Sequence, residues 1–380
     1  MAHKSVAVLG AGMVGSAMAL DLASSFSVTS IDFSTEALAK VAARNPAIRT
    51  VQADLRQAEV VKMNIAEADF VVCAVPGFMG FAVLRAIIEA GKNVVDISFF
   101  PEDSLELDAL AKEKGVTAVV DCGVAPGMPN YCLGYWAARM QVSECKYMVG
   151  GLPKVRTKPF EYKAPFSPVD VIEEYTRPAR LKRHGVVVTL PALSEVELVD
   201  IPGLGTLEGF NTDGLRSILV TLPDIPNVSE KTLRYPGYAA LIEAFMRAGF
   251  FSKTPLMVKG VEVTPFDVTT SILFRNWKLG EEEEEFTAMR IEIFGLLSGQ
   301  NTKVTYDVLD RYSQETKTSS MARATGYTAT ATLNALAQGL IPEHGVLPPE
   351  VIGKNETLFN YVLNYLKERH VVYTFTQESI

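Results

Sequence analysis

The sequence predicts an α/β protein in which a doubly wound parallel sheet is followed by an α+β domain with a mixed, largely antiparallel sheet. Three observations predict this fold class: a glycine-rich motif between a strand and a helix, strands that alternate with helices up to residue 120, and period-two strands beyond it. The length of 380 residues allows two hydrophobic cores. We therefore expect a first domain at 1–123, a second at 124–319, and a C-terminal segment at 320–380 that returns to the first domain.

The glycine-rich motif directly follows the first predicted strand, at residues 4–9, and precedes a helix-compatible stretch at 16–24. Its G-x-G-x-x-G spacing between a strand and a helix is the fingerprint of a Rossmann dinucleotide site. The first glycine permits a tight turn, the second lets the backbone approach a pyrophosphate, and the third lets helix and strand pack closely. The free N–H groups of the helix N-terminus then face the phosphates. The residues expected to bind a dinucleotide here are Gly10, Gly12, Met13, Val14 and Gly15.

The second predicted strand, at 28–31, ends on Asp32, 20 residues after Gly12. A carboxylate at this place accepts hydrogen bonds from the adenosine ribose hydroxyls. It would repel the 2′-phosphate of NADP, and residues 33–35 contain no arginine to offset that repulsion. We therefore expect Asp32 to bind the cofactor and the cofactor to be NAD.

The remaining strands of the first domain are predicted at 49–53, 69–75, 93–97 and 116–120, and its helices at 35–45, 80–90 and 105–114. Ligands of a doubly wound sheet bind at the carboxyl ends of its strands. Asp54 would hydrogen-bond the adenine amino group or else cap its own turn. Pro76 and Gly77 would border the pyrophosphate and nicotinamide or else simply end a strand. Asp96 and Asp121 would face the catalytic crevice or else cap a loop or helix.

Composition excludes several classes of function. The net charge of -8, with no basic stripe, argues against nucleic acid, and no apolar run reaches the ~18 residues of a membrane span. A strand so near the N-terminus argues against a signal peptide. Four scattered cysteines without C-x-x-C spacing, and only four histidines, predict a reduced, cytoplasmic protein without a metal site. The five acids at 281–285 are interpreted as a solvated turn between two strands.

The pattern changes after Gly123. A turn-rich junction at 125–130 leads into a helix that Pro126 or Pro129 opens. Strand-like segments then dominate, several with the alternation of a sheet that has one solvated face. We expect a long helix rich in alanine and threonine at 320–339. The expected strands lie at 146–149, 185–190, 195–200, 217–222, 258–263, 269–274, 287–294 and 302–307.

Eight motifs occur in order over nearly the whole chain: GVAPGMPN at 123–130, VGGLP at 149–153, YKAPFS at 162–167, EY at 174–175, LPALSEVE at 190–197, LEGFNTDG at 207–214, KTLRYPG at 231–237 and SMARATGY at 320–327. In these motifs the chain resembles the saccharopine dehydrogenase family, and within it the lysine 6-dehydrogenase branch. One departure is Tyr238, where similar sequences often carry histidine.

The resemblance implies a Rossmann domain, a mixed-sheet domain for substrate binding and dimerisation, and an NAD-dependent amine dehydrogenase. In the lysine 6-dehydrogenase branch the ε-amine of L-lysine is oxidised to an imine, and water then releases ammonia and 2-aminoadipate semialdehyde. Such an enzyme needs an anchor for the substrate carboxylate, for which Arg216 and Arg234 are candidates because a guanidinium is a two-pronged donor. The alternative is that each forms a surface or inter-domain ion pair.

Proton transfer in this reaction needs a group whose pKa lies near the working pH. Besides the two crevice aspartates, the candidates are Glu174, Tyr175 and Glu195, although Tyr175 could equally be a core aromatic whose hydroxyl is satisfied. The function we predict is oxidation of the terminal amine of L-lysine or a close homologue, by a cytoplasmic homodimer or higher homo-oligomer. The alternatives are a saccharopine-reductase-type NAD(P)-dependent enzyme that joins an aldehyde and an amino acid, and a non-catalytic dinucleotide sensor.

Overall fold

A computed structural model of the protein describes residues 4–164, 168–280 and 282–380. Residues 165–167 of the YKAPFS motif and Glu281 of the acidic run lie outside the described residues. The elements of the first 120 residues alternate as expected: β1 (Ser5–Leu9), α1 (Met13–Leu22), β2 (Ser27–Asp32), α2 (Thr35–Arg44), β3 (Arg49–Gln52), α3 (Ala58–Ile65), β4 (Phe70–Cys73), α4 (Gly77–Glu89), β5 (Asn93–Asp96), a 3-10 turn (Ser104–Leu107), α5 (Asp108–Glu113) and β6 (Thr117–Val119).

The middle of the chain is richer in strands. Its elements are α6 (Met128–Ala137), β7 (Gln141–Pro153), α7 (Pro168–Thr176), β8 (Ala179–Arg183), β9 (Val186–Leu190), β10 (Glu197–Ile201), β11 (Gly205–Asn211), α8 (Ile218–Thr221), β12 (Asn227–Arg234), α9 (Tyr238–Arg247), β13 (Leu256–Val258), β14 (Val261–Val263), α10 (Pro265–Trp277), β15 (Glu285–Leu297) and β16 (Gln300–Arg311). The last part comprises α11 (Ser320–Ala337), β17 (Gly345–Leu347), α12 (Pro349–Ile352), α13 (Glu356–Glu368) and β18 (Thr374–Ser379).

The first sheet is parallel, with strands in the order β17-β6-β5-β4-β1-β2-β3. The strand order reverses beside β1, which opens a crevice at the carboxyl ends of β1 and β4, where such sheets bind ligands. The second sheet runs β10-β11-β12-β7-β15-β16-β18, with β8 and β9 attached beside β12. It is antiparallel except for the β12–β7 pair. The predicted fold class is confirmed.

Most of the C-terminal segment packs on the first domain, whereas its last strand, β18, pairs with β16 of the second sheet. Helix α11 lies along α1, and Gly326 approaches so closely that an added Cβ would stand 3.0 Å from Met18. The Asp21 carboxylate of α1 accepts hydrogen bonds from Thr330, Tyr365 and Arg369. Strand β17 also joins the first sheet. Helices α11 and α13 and strand β17 therefore complete the core of the first domain, although they lie far from it in sequence.

Four expectations for the second half were wrong. Residues 217–222 include the short helix α8, and residues 269–274 lie inside α10, because helix packing overrides the strand propensity of their β-branched residues. Residues 258–263 form part of the β13–β14 hairpin rather than one strand. The acidic run follows a helix, and Glu285 is a buried residue of β15 rather than part of a solvated turn.

Candidate active site

A cleft of about 840 Å³ lies between the carboxyl ends of the first sheet and the face of the second sheet formed by β7 and β12. Its first-domain wall consists of the glycine-rich loop and the loops after β2 to β6. Its second-domain wall includes Gly150 and Gly151 of β7, the loop at 212–214, and β12. Met321 and Thr325 of α11 line it as well. No helix of the described segments is long and apolar enough to cross a bilayer, and those segments hold no cluster of metal-ligand side chains.

The glycine-rich loop has the shape that a dinucleotide requires. Gly10 adopts a φ of +101°, and an added Cβ would lie 2.5 Å from the Ala74 carbonyl oxygen. At Gly15, in the first turn of α1, an added Cβ would lie 2.0 Å from the Gly10 oxygen, so only glycine fits there. At Gly12 it would meet nothing within 4 Å, because this position opens into the cleft. The loop therefore fits a pyrophosphate, and Met13 and Val14 also line it.

Asp32 lies where the sequence predicts an acceptor for the ribose. Its Oδ2 accepts from the Ala11 amide at 2.6 Å and its Oδ1 from the Ser34 amide at 2.8 Å. The carboxylate thus fixes the glycine-rich loop relative to β2. An ionised carboxylate has about four acceptor positions, so it can still accept ribose hydroxyls.

Asp54 lines the same end of the cleft but caps its own turn. Its carboxylate accepts from the amide, Nε and Nη2 of Arg56 at 3.1, 2.9 and 2.7 Å. The hydrogen bonds from Arg56 lower the pKa of Asp54 to about 2. Sequence reasoning overlooked Arg56, because it searched for cations only directly after β2. Pro76 lines the cleft, whereas Gly77 begins α4 beside it.

A buried carboxyl that sequence reasoning missed, Glu230 of β12, faces the cleft. The Thr212 hydroxyl lies 2.9 and 2.7 Å from its two oxygens, and the Gly214 amide donates at 3.2 Å. Burial raises the pKa of Glu230 to about 8, hydrogen bonds from Thr212 and Gly214 oppose this, and the nearby Glu174 and Asp213 carboxylates add to the rise. A carboxyl of this pKa can accept and return protons near neutral pH. The only sequence signal was an acid in a period-two strand.

Arg234 is the guanidinium on the second-domain wall. Its Nε and Nη2 donate to the Tyr175 hydroxyl at 3.1 and 2.9 Å, and its Nη2 contacts Glu174 at 3.2 Å. Tyr175 is fully buried behind Arg234 and does not line the cleft, so the structure makes it a positioning residue rather than a catalytic one. Tyr238 is also buried behind Arg234, its ring 5.8 Å from the guanidinium carbon.

Arg216 and Asp121 form a buried ion pair that joins the two domains. The Arg216 Nε donates to Asp121 at 2.7 Å, and its Nη1 donates to the Phe100 carbonyl at 2.6 Å. Asp121 lines the cleft, whereas Arg216 does not. The expectation that Arg216 anchors a substrate carboxylate was therefore wrong. Arg216 instead forms the inter-domain ion pair that was the alternative, and this pair holds Asp121 in place.

Two other predicted acids lie away from the cleft surface. Asp96 is fully buried and does not line the cleft. Its Oδ1 accepts from the Ser98 amide, its Oδ2 has no partner within the described residues, and burial raises its pKa to about 7. Glu195 pairs with Arg183 outside the cleft. A further cleft carboxylate, Asp213, is held by Arg180 at 2.9 Å.

Comparisons with known proteins agree with this architecture. The family model described as "Saccharopine dehydrogenase NADP binding domain" matches residues 6–119, and "Saccharopine dehydrogenase C-terminal domain" matches residues 123–372. The apo histidine-tagged saccharopine dehydrogenase (L-Glu forming) from Saccharomyces cerevisiae superposes with a TM-score of 0.79 at 17% identity, covering 99% of this chain and 100% of that one.

Two curated relatives are each 24% identical. The saccharopine dehydrogenase [NADP(+), L-glutamate-forming] of Pyricularia oryzae aligns over 82% of this chain and 75% of its own. The mitochondrial alpha-aminoadipic semialdehyde synthase of Bos taurus aligns over 68% of this chain, which spans only 31% of that protein. The chain belongs to the saccharopine dehydrogenase family, as its motifs suggested, and its first domain is of a type that binds a nicotinamide dinucleotide.

Proposed function

We propose that this member of the saccharopine dehydrogenase family is a nicotinamide-dependent dehydrogenase that oxidises the carbon–nitrogen bond at the terminal carbon of lysine or a lysine derivative. The observation that carries the proposal is the position of Glu230, a buried carboxyl with a pKa of about 8, on the wall opposite the glycine-rich loop. Oxidation of an amine requires a base that removes a proton near neutral pH before hydride can leave.

Each group of residues at the cleft has its own role in the proposed reaction. The glycine-rich loop and Asp32 hold the dinucleotide, whose nicotinamide accepts the hydride when bound. Glu230 takes a proton from the substrate ammonium, and the terminal carbon then loses hydride to give an iminium. Water adds to the iminium carbon and loses one proton to solvent. Glu230 then returns its proton to the nitrogen, which departs as ammonia from lysine or as an amine from a lysine derivative. The remaining hydroxyl proton is lost as the aldehyde carbonyl forms. Asp121, held by Arg216, stabilises the positive charge on the nitrogen.

The charge of the cleft favours free lysine as the substrate. Among the described lining residues, the second-domain wall offers one guanidinium, that of Arg234, and three carboxyls: Glu174, Asp213 and Glu230. Asp121 adds a fourth acid from the first domain. Lysine carries two ammonium groups and one carboxylate, so one guanidinium suffices if the substrate competes with Glu174 for Arg234. Saccharopine has three carboxylates, whereas among the described lining residues of this wall Arg234 is the one guanidinium that could receive a carboxylate.

The second candidate is the saccharopine reaction, which releases glutamate instead of ammonia. The names of the relatives, "L-glutamate-forming" and "alpha-aminoadipic semialdehyde synthase", support it more than they support oxidation of free lysine. Both candidate reactions break the bond between the terminal carbon and its nitrogen, use Glu230 as the base, and need a nicotinamide dinucleotide. They differ in the group that the cleft must accept on the substrate nitrogen.

The cofactor we propose is NAD, because Asp32 places a fixed negative charge at the adenosine end. The family model and the Pyricularia oryzae relative carry NADP in their names, which makes NADP the comparison to test.

The test is turnover of L-lysine deuterated at the ε-carbon, in parallel with saccharopine, each with NAD and with NADP. Transfer of deuterium to the reduced dinucleotide together with ammonia release would support lysine oxidation. Glutamate release from saccharopine, without turnover of lysine, would assign the second candidate. No turnover of either substrate, in a protein that binds a dinucleotide, would contradict the proposal and leave a dinucleotide sensor.

A further inference from the structure

The adenosine end of the cleft contains an ion pair within a single turn, formed by Asp54 and Arg56 directly after β3. Strand β3 is the neighbour of β2, whose end carries Asp32. Asp54 accepts hydrogen bonds from both the backbone amide and the guanidinium of Arg56, so the two side chains neutralise each other within the turn. The adenosine end therefore contains two carboxylates and one guanidinium.

A guanidinium in this part of a Rossmann cleft is the group that accommodates a 2′-phosphate, since its forked donors match phosphate oxygens. Arg56 is thus of the right type and in the right cleft to bind NADP. In this chain, however, its Nε and Nη2 already donate to Asp54. What remains unbalanced at this end is the negative charge of Asp32.

We propose that Asp54 helps select NAD over NADP by holding the Arg56 guanidinium away from the 2′-phosphate. This inference rests on the proposed function, because it requires that the cleft bind a nicotinamide dinucleotide. NAD carries a hydroxyl at this position and needs nothing from Arg56. NADP must displace Asp54 to use the forked Nε–Nη2 edge of Arg56, and its phosphate then meets two carboxylates instead of one.

The exposure of the pair sets the size of the effect. The side chains of Asp54 and Arg56 are 36% and 70% exposed, and solvent screens ion pairs in such surroundings, so they contribute little. Separating them is therefore inexpensive, and we expect a change in NADP affinity of about fivefold rather than many orders of magnitude. Asp32, which two backbone amides fix in place, is the larger determinant.

The test measures dinucleotide binding without substrate, by calorimetric titration of NAD and NADP. The variants are Asp54→Ser, which keeps a side chain able to cap the turn, and the double variant Asp54→Ser/Arg56→Ala. Asp103→Ser is the matched control, because Asp103 also accepts from the amide two residues ahead but lies outside the cleft. We expect Asp54→Ser to tighten NADP binding about fivefold and to change NAD binding less than twofold.

The gain should disappear in the double variant and be absent from the control. The proposal is overturned if Asp54→Ser leaves NADP affinity unchanged, if the gain persists without Arg56, or if the unaltered protein already binds NADP more tightly than NAD. Failure of the unaltered protein to bind either dinucleotide would overturn the proposed function itself, and this inference with it. Turnover measurements are not needed for any of these outcomes.

Discussion

The first-domain wall of the cleft presents glycines, backbone amides and partly exposed charges, whereas the second-domain wall presents buried carboxyls. Asp54 and Arg56, on the first, are partly exposed and neutralise each other within one turn. Glu230, on the second, is buried, and within the described part of the chain it forms no ion pair. Cofactor binding needs a complementary shape and accessible hydrogen-bond donors. Proton transfer near neutral pH needs a carboxyl whose pKa is raised, and burial raises it.

The largest effect should come from the buried wall. We predict that Glu230→Gln lowers kcat by about 10²–10⁴-fold, because glutamine keeps the shape but cannot accept a proton. In the unaltered enzyme kcat/KM should rise with pH up to about 8, as Glu230 loses its proton, and this dependence should vanish in the variant. Steady-state kinetics from pH 6 to 10 measure both.

Glu285→Gln is the matched control for that experiment. Glu285 is also buried, and burial likewise raises its pKa to about 8, but it accepts from the Met321 amide and does not line the cleft. If the control lost as much activity as Glu230→Gln, the role of Glu230 as the base would be refuted.

The next effect concerns the glycine wall. Gly15→Ala should prevent stable packing of α1 on β1 or lower the free energy of unfolding by several kcal/mol, because its Cβ would lie 2.0 Å from a backbone oxygen. Gly12→Ala should fold normally, since its Cβ has open space, yet bind dinucleotide at least tenfold more weakly. Urea denaturation and dinucleotide titration separate the two outcomes. Equal stability losses in both variants would contradict the division of roles.

Two arginine–aspartate pairs that hold cleft carboxylates compare a buried arginine with a partly exposed one. Arg216→Ala leaves Asp121 buried and unpaired and should lower the free energy of unfolding by about 3 kcal/mol. Arg180→Ala removes a side chain that is 45% exposed and leaves the Arg180 amide donating to Asp213, so it should cost about 1 kcal/mol or less. Arg216→Ala should also reduce kcat, because Asp121 lines the cleft. Similar losses in both variants would show that burial is not what distinguishes the pairs.

A further effect concerns stability as a function of pH. Glu230 titrates near its ordinary 4.5 in the unfolded chain and near 8 in the folded protein, so between these values the folded state holds a proton that the unfolded state has lost. The free energy of unfolding should therefore fall as pH rises from about 5 to about 8. Thermal melts across that range should show a shallower decline for Glu230→Gln. An unchanged slope would mean that Glu230 titrates normally.

The first wall could be predicted from the sequence because its geometry is local. The glycines, Asp32, Asp54, Pro76 and Asp121 all lie at strand ends of an alternating pattern, which topology brings to one edge of the sheet. Of the two roles predicted for Asp54, the structure shows the turn cap, but the charged partner of Asp54 was missed. Arg56, two residues after Asp54, was not considered as a charge facing the same cleft.

The second wall could not be predicted, because its side chains come from segments far apart in sequence. Glu230 meets Thr212 across 18 residues, and Arg234 meets Tyr175 across 59. Tyr175 and Arg216 are suitable residue types in family motifs, yet folding places both behind the residues that line the cleft. Residue type and motif indicate which side chains belong to the site. They do not indicate whether a side chain lines the cleft or lies behind the residues that line it.

The fold class, the dinucleotide motif and the family could be predicted from the amino-acid sequence, because periodicity, glycine spacing and motif order are properties of short segments. The folded chain was needed to show which carboxyl is buried at the cleft, which guanidinium is already paired, and which strands β12 joins. The physical reason is that desolvation and ion pairing depend on neighbours that the chain brings together only when it folds. The chemistry we propose depends on those neighbours.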